Sequence, residues 1–334
     1  MDKLVRIENL TKHFDLKSSF LSLGLSPVVK AVENISFDIY RNETLGLVGE
    51  SGCGKSTLGR VILRLIEPTS GTVFYEEINV NLLKSEELRR FRTKMQIVFQ
   101  DSYSSLNPRL KVGEIIAEPM TIHTDMSSRE IRKNTLELLS LVGLKPAHAA
   151  RFPHEFSGGQ RQRINIARTL ALYPSFIVCD EPISALDVSI QAQVVNLLKD
   201  LQEKLGITYL FIAHDLSMVK HISDRIAVMY LGRIMELASS RDLFLNPLHP
   251  YTQSLISAIP ILDPKKERLR KAIVLEGEVP SPVNPPPGCV FHTRCPVSDE
   301  LCSREVPEYR EVNPNHFVSC HFAGVRKAAE TVHF

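Results

Sequence analysis

The eight residues Gly49-Glu50-Ser51-Gly52-Cys53-Gly54-Lys55-Ser56 constrain this chain more than any others. They fit G-x-x-x-x-G-K-[ST], with the short apolar run Leu45-Gly46-Leu47-Val48 before them. After them Leu58, Val61, Ile62 and Leu65 recur at i, i+3, i+4 and i+7, the period of a helix. Strand, Gly-rich turn and helix in that order make a phosphate cradle. Glycines let the backbone turn until successive N–H groups face one anion, and the helix adds the positive end of its dipole. Lys55 then reaches the β- and γ-phosphates and the Ser56 hydroxyl ligates Mg²⁺. Gly49, Ser51, Gly52, Gly54 and Thr57 belong to the same cradle, with Cys53 a small spacer in it, not a nucleophile.

Two further apolar runs, Phe176-Ile177-Val178-Cys179 and Thr208-Tyr209-Leu210-Phe211-Ile212, read as central strands of a parallel sheet. The first ends in Asp180-Glu181 and the second in His214-Asp215, and ligands of open α/β sheets bind at the carboxyl ends of strands. Asp180 is placed as a strand-end Mg²⁺ carboxylate, and Glu181 as the group that orients or deprotonates the attacking water. Alternation in Leu4–Ile7 and Ile35–Ile39 marks two more strands, and Ser127 with Glu130 caps a helix that stops near Gly143. Arg225–Tyr230, Leu231-Gly232 and Arg233–Met235 read as a hairpin closing the main domain. With 40 Lys+Arg against 38 Asp+Glu, the net charge of +2 gives no basic excess of the kind nucleic acid selects. No apolar stretch reaches the roughly 18 residues of a membrane span, and Met1–Arg6 lacks the apolar core of a secretory signal, so an intracellular protein is expected.

Phe156-Ser157-Gly158-Gly159-Gln160-Arg161-Gln162-Arg163 resembles the signature motif of ABC ATPases, L-S-G-G-Q, with Phe156 in place of Leu. The resemblance runs in order through the first 245 residues. Gln100 resembles the Q-loop glutamine, Asp180-Glu181 the Walker B end, Ser184–Asp187 the D-loop, and His214 the switch histidine. Phe14 sits where the family stacks an aromatic on adenine. The implied fold is an α/β P-loop NTPase with an antiparallel β subdomain and a helical insert at about residues 101–165. The resemblance also implies ATP hydrolysis, with Glu181, His214 and Gln100 in catalysis and Ser56, Gln100 and Asp180 on Mg²⁺. In the family, Ser157, Gly158, Gly159, Gln160 and the Asp187 region complete the site of a facing subunit, so two ATPs are sandwiched in a head-to-tail dimer. A helix is expected from about Arg161.

Beyond residue 245, Asn246–Thr252, Glu276–Pro282 and Gly288–Pro296 resemble the C-terminal extension of the dipeptide/oligopeptide (and nickel) importer ATPases. Domains 1–245 and 246–334 are expected, the second small, Cys-rich and reached through the stiff run Pro280, Pro282, Pro285, Pro286, Pro287. Its Cys289, Cys295, Cys302 and Cys320 are spaced C-x5-C-x6-C-x17-C. The C-x2–4-C pairs usual for structural zinc are absent, and four thiolates on loops suit an iron–sulfur cluster. Members of the importer subgroup carry a [4Fe–4S] cluster at matching cysteines; zinc and an unligated group of thiols remain the alternatives. The resemblance implies partners as well: a second ABC ATPase, identical or paralogous, two membrane permeases and, indirectly, an extracytoplasmic peptide-binding protein. It places the chain on the cytoplasmic face of the membrane. A soluble ABC ATPase outside transport, an importer of nickel or another solute, and a nucleotide-binding redox sensor are the competing readings. Phe20, Leu21, Leu23 and Leu25 form either a self-packed hairpin tip or a loop touching a membrane partner, and Lys265–Lys271 a solvated basic helix face.

Overall fold

The first two strands extend well past the short alternating runs that announce them. β1 covers Lys3–Asp15 and buries Leu4, Val5, Ile7, Leu10 and Thr11; β2 covers Val28–Tyr40 and buries alternate side chains from Ile35 to Ile39. In a computed structural model of the chain, residues 2–16, 27–101, 105–184, 186–260 and 273–325 are described. The apolar segment Phe20–Leu25 and the basic run Lys265–Lys271 lie outside them. After β2 come β3 (Thr44–Val48), α1 (Lys55–Ile62), β4 (Ser70–Tyr75), β5 (Ile78–Asn79), α2 (Ser85–Phe91), β6 (Met95–Val98), α3 (Val112–His123) and α4 (Ser128–Leu141). Then follow α5 (Gly158–Leu170), β7 (Phe176–Asp180), α6 (Val188–Leu205), β8 (Thr208–Ile212), α7 (Leu216–Ile222), β9 (Arg225–Tyr230) and β10 (Arg233–Ser239). The chain continues through α8 (Ser240–Leu245), α9 (Pro250–Ser257), α10 (Glu300–Arg304), β11 (Tyr309–Asn313) and β12 (His316–Ser319). Among the described residues no helix is long and apolar enough to cross a membrane.

The chain divides into two units. The first holds Leu82–Ala213 and the short stretch Ile39–Thr44. Its sheet is parallel, β6 beside β7 beside β8, with Val98 opposite Cys179 and Asp180 opposite Ile212. β7 and β8 are buried along their whole length, which is why they read as continuous apolar runs. The helical insert is α3 and α4. Ser127 caps α4 as expected, its backbone N–H donating to Glu130 and its hydroxyl accepting the Glu130 N–H. Gly143, at φ +76, ends the helix. α3 was not legible: Pro119 interrupts its interior pattern.

The second unit holds Val5–Asp38, Leu45–Asn81 and the chain from His214 onward. One sheet has the order β2-β1-β4-β5, with β1 antiparallel to β4 and β4 to β5. In the other, β3 runs parallel to β9, and β10 folds back on β9 with Arg233 opposite Tyr230. That hairpin is the one expected, but it does not close the sheet. The far edge of β10 pairs with β12, Glu236 opposite Val318, and β12 pairs with β11. The Cys-rich extension therefore belongs to the same unit as the Gly49–Ser56 turn instead of standing apart. Glu236, wholly buried, stitches it in by accepting from the Leu248 N–H at 2.7 Å, the His249 N–H at 3.0 Å and pairing with His316 Nε2 at 2.6 Å.

His249 caps α9, its Nδ1 accepting the Tyr251 N–H at 3.0 Å, so the neutral ring carries its proton on Nε2. Burial pushes its pKa down from 6.5 to about 4, against the opposing pull of Glu236. The unfolded chain binds this proton below pH 6.5 and the folded chain does not, so the contribution is complete above 6.5 and lost as pH falls toward 4. Urea titrations should show about 3 kcal/mol of unfolding free energy disappearing across that window. A His249→Asn variant, which keeps a cap acceptor, should lack this slope.

Candidate nucleotide site

β3 delivers the chain into the Gly49–Ser56 turn and α1 begins at Lys55, as the motif requires. Lys55 is buried, and its Nζ donates to the carbonyls of Gly49 at 2.7 Å and Glu50 at 2.9 Å, with Cys53 Sγ at 3.8 Å. The ammonium thus closes the turn into a ring. Gly54 lies at φ +107, and a Cβ there would stand 2.0 Å from the Ala31 carbonyl oxygen. Only glycine meets both conditions. Cys53 is buried, and desolvation pushes its thiol pKa up despite Lys55, so at neutral pH it stays protonated. Ser51 and Gly52 are exposed and Ser56 and Thr57 half-buried, all on the turn or the first turn of α1. Phe14 is half-buried at the end of β1, with the Lys12 ammonium 4.9 Å from its ring centre.

In the first unit the carboxyl ends of β6 and β7 bring Gln100 and Glu181 together, the Gln100 amide donating to Glu181 Oε2 at 2.8 Å. Asp180 is the last residue of β7 and is buried. Glu181 takes φ +46, a conformation costly for a non-glycine residue. Its N–H donates to the Ile212 carbonyl at 3.0 Å, and its carbonyl accepts the Ser184 N–H at 3.3 Å. Cys179 is buried and its thiol pushed up by that burial, which suits a strand residue without chemistry. His214 is exposed two residues past β8.

α5 starts at Gly158, not near Arg161. The Ser157 hydroxyl accepts the Gln160 N–H at 3.4 Å and the Gln160 side chain accepts the Ser157 N–H at 3.1 Å, a capping box that takes both glycines into the first turn. Gly159 is required by proximity, since a Cβ there would lie 2.4 Å from Ile190 Cγ2. Asp187 precedes α6 as its N-cap residue, and Ala185 of the D-loop segment lies outside the described residues.

The four tail cysteines depart from expectation. Among the described residues no group of three or more His, Cys, Asp or Glu side chains is gathered to hold a metal ion. The thiols are neighbours nonetheless. Burial pushes Cys289 up to about 12, with the other three cysteines adding, and Cys295 up to about 11, with Cys320 and Cys302 adding; Cys320 is raised as well. The Cys289 N–H donates to the Cys302 carbonyl at 2.8 Å. Unligated, Cys289, Cys295 and Cys320 are protonated at neutral pH.

Sequence reading missed the residues that hold the turn from outside. The Glu50 N–H donates to Tyr251, 201 positions away, and the Glu50 carboxylate accepts from Arg294, 244 positions away. No local pattern marks either.

A glycine turn closed by a lysine, an acidic strand end with its glutamine, and a capped S-G-G-Q helix are the parts of an ABC-type ATPase. The comparisons agree. The ABC transporter family matches residues 32–184, and the oligopeptide/dipeptide transporter C-terminal region matches residues 235–302. The chain is 57% identical over 319 residues to the putative oligopeptide transport ATP-binding protein YkfD of Bacillus subtilis, covering 95% of each. It is 52% identical to the oligopeptide transport ATP-binding protein AppF of the same organism, over 96% of this chain and 97% of that one. Among solved structures, the ATP-binding cassette MJ0796 in a dimeric post-hydrolysis state bound to ADP and Pi gives a TM-score of 0.63 at 32% identity, over 71% of this chain and 99% of that one. The cassette cbiO1 from Clostridium perfringens gives 0.64 at 26% identity, over 74% and 92%. The chain belongs to the ABC transporter ATPases of the oligopeptide/dipeptide type.

The glycines differ in what they tolerate. Gly54→Ala meets backbone, and should lower the unfolding free energy by more than about 2 kcal/mol. Gly158→Ala meets only the Leu186 Cδ2 methyl at 3.3 Å. It gains helix propensity and should stay within about 1 kcal/mol of the parent in the same denaturant titration.

Proposed function

We propose that this chain hydrolyses ATP to power import of di- or oligopeptides, on the cytoplasmic face of the membrane and attached to two permease subunits. The cargo class follows the relatives, which are named for oligopeptide transport and whose match runs through the C-terminal extension. The observation that carries the ATPase reading is the ring closed by Lys55, whose ammonium is held by the Gly49 and Glu50 carbonyls at the start of α1. Residues 1–245 act as the nucleotide-binding cassette and 246–334 as the importer-type extension.

In this reading the Gly49–Thr57 amides and Lys55 grip the terminal phosphates, and Phe14 stacks on adenine. Ser56, Gln100 and Asp180 offer the hard oxygen donors that Mg²⁺ prefers, and the ion would neutralise phosphate charge. Glu181 orients the attacking water and takes its proton, while Gln100 fixes the Glu181 carboxylate through the 2.8 Å bond. His214 positions the γ-phosphate side of the site. Ser157, Gly158, Gly159, Gln160 and the Asp187 region serve the nucleotide of a facing subunit, so turnover needs a head-to-tail pair. The dimeric MJ0796 cassette with ADP and Pi supports that arrangement.

For the extension we keep a [4Fe–4S] cluster on Cys289, Cys295, Cys302 and Cys320 as the first reading and zinc as the second. It rests on donor chemistry, four cysteines of which three act electrostatically on Cys289, and enters no step of the hydrolysis. Anaerobically purified protein should contain iron and acid-labile sulfide in equal amounts. Zinc alone, or no metal, overturns the cluster.

Lys55→Ala should reduce ATP turnover at least about 100-fold, and its unchanged turnover would remove the ATPase reading. Glu181→Gln should bind Mg-ATP and accumulate a dimer on size exclusion. A monomer with full activity would refute the paired mechanism.

A further inference from the structure

The Gly49–Ser56 turn carries an acidic residue, Glu50, where an anion is to be bound. Two residues of the C-terminal extension hold it. Arg294 Nη1 donates to both Glu50 carboxylate oxygens, at 2.8 and 3.1 Å, and the Tyr251 hydroxyl accepts the Glu50 N–H at 3.0 Å. The Arg294 side chain is 9% exposed and that of Glu50 25%, so solvent screens the pair weakly. Behind it, Tyr230, Tyr251 and Phe291 form a buried aromatic cluster with ring centres 4.9 and 5.3 Å apart. Phe291 and Arg294 come from the same short segment between Cys289 and Cys295. That segment is thus anchored by one aromatic side chain and reaches the turn with one guanidinium.

Two physical consequences follow. A carboxylate one residue into a phosphate cradle repels the phosphates unless a cation neutralises it, and Arg294 is that cation. The carbonyl of the same Glu50 is one of the two that accept from Lys55 Nζ, at 2.9 Å. Fixing the Glu50 side chain and N–H therefore fixes the peptide that orients the ammonium.

We propose that Arg294 and Tyr251 are positioning residues of the nucleotide site: the C-terminal extension neutralises Glu50 and locks the turn in the form that accepts a nucleoside triphosphate. Packing of the extension and nucleotide affinity are then linked, each strengthening the other. This rests on the nucleotide reading of the Gly49–Ser56 turn.

The test titrates the full-length chain with a fluorescent Mg-ATP analogue and follows ATPase rates in parallel. Arg294→Ala should raise Kd and KM about 10-fold and leave kcat within about twofold. Adding Glu50→Gln to it should bring Kd back to within about threefold of wild type, because the unneutralised charge has gone. An unchanged Kd for Arg294→Ala overturns the proposal, as does a weakened Kd that Glu50→Gln fails to restore. If Arg294→Ala does not fold, Tyr251→Phe decides: a raised Kd at unchanged kcat upholds the proposal and an unchanged Kd overturns it. Wild-type protein without affinity for the Mg-nucleotide analogue refutes the nucleotide reading itself. Wild-type binding with unaffected variants sinks this inference alone.

Discussion

The Lys55 ammonium, bound to the carbonyls of Gly49 and Glu50, is the contact on which the nucleotide half of the molecule depends. A buried cation needs acceptors at all times, and here the backbone of its own turn supplies them. The glycines make that ring possible by passing through conformations and close approaches that a Cβ forbids, Gly54 against Ala31 above all. Strand β3 and helix α1 hold its two ends. The outer side of the ring is gripped by Tyr251 and Arg294.

The second constraint is the burial of Glu236. A carboxylate removed from water is tolerable only if its oxygens are filled, and three partners fill them: two backbone N–H groups of the Leu248-His249 segment and the His316 ring. Those partners come from both sides of the extension, so one buried charge draws α9 and β12 onto β10. Electrostatic satisfaction works together with the buried Tyr230, Tyr251 and Phe291 cluster to integrate the Cys-rich tail. The small cluster of Leu248, Val318 and Ala323 is apolar support for that join.

Much of the fold was legible because its signals are local. The apolar runs at β3, β7 and β8, the hairpin at Leu231-Gly232, and the Ser127/Glu130 capping box each depend on residues within a few positions of one another. The turn between β3 and α1 and the strand-end place of Asp180-Glu181 were legible for the same reason. The length of β1 and β2 was underestimated because their polar residues interrupt the pattern, and α3 was passed over because Pro119 breaks it. The start of α5 was placed three residues late because the two glycines read as a loop, whereas the Ser157/Gln160 box draws them into the helix.

By itself the sequence determined the local parts: a glycine turn between strand and helix, strand-end carboxylates, a capped S-G-G-Q helix and a set of four thiols, all specified by residue type at short spacing. Only the tertiary structure decided what those parts are joined to. It set Gln100 against Glu181, 81 positions apart, left the four thiols ungathered for a metal among the described residues, and ran the tail into the sheet instead of beside it. It also placed Arg294 on Glu50 across 244 positions. The physical reason is that buried charges and edge strands must find partners, and their search is over space, which adjacency along the chain does not encode.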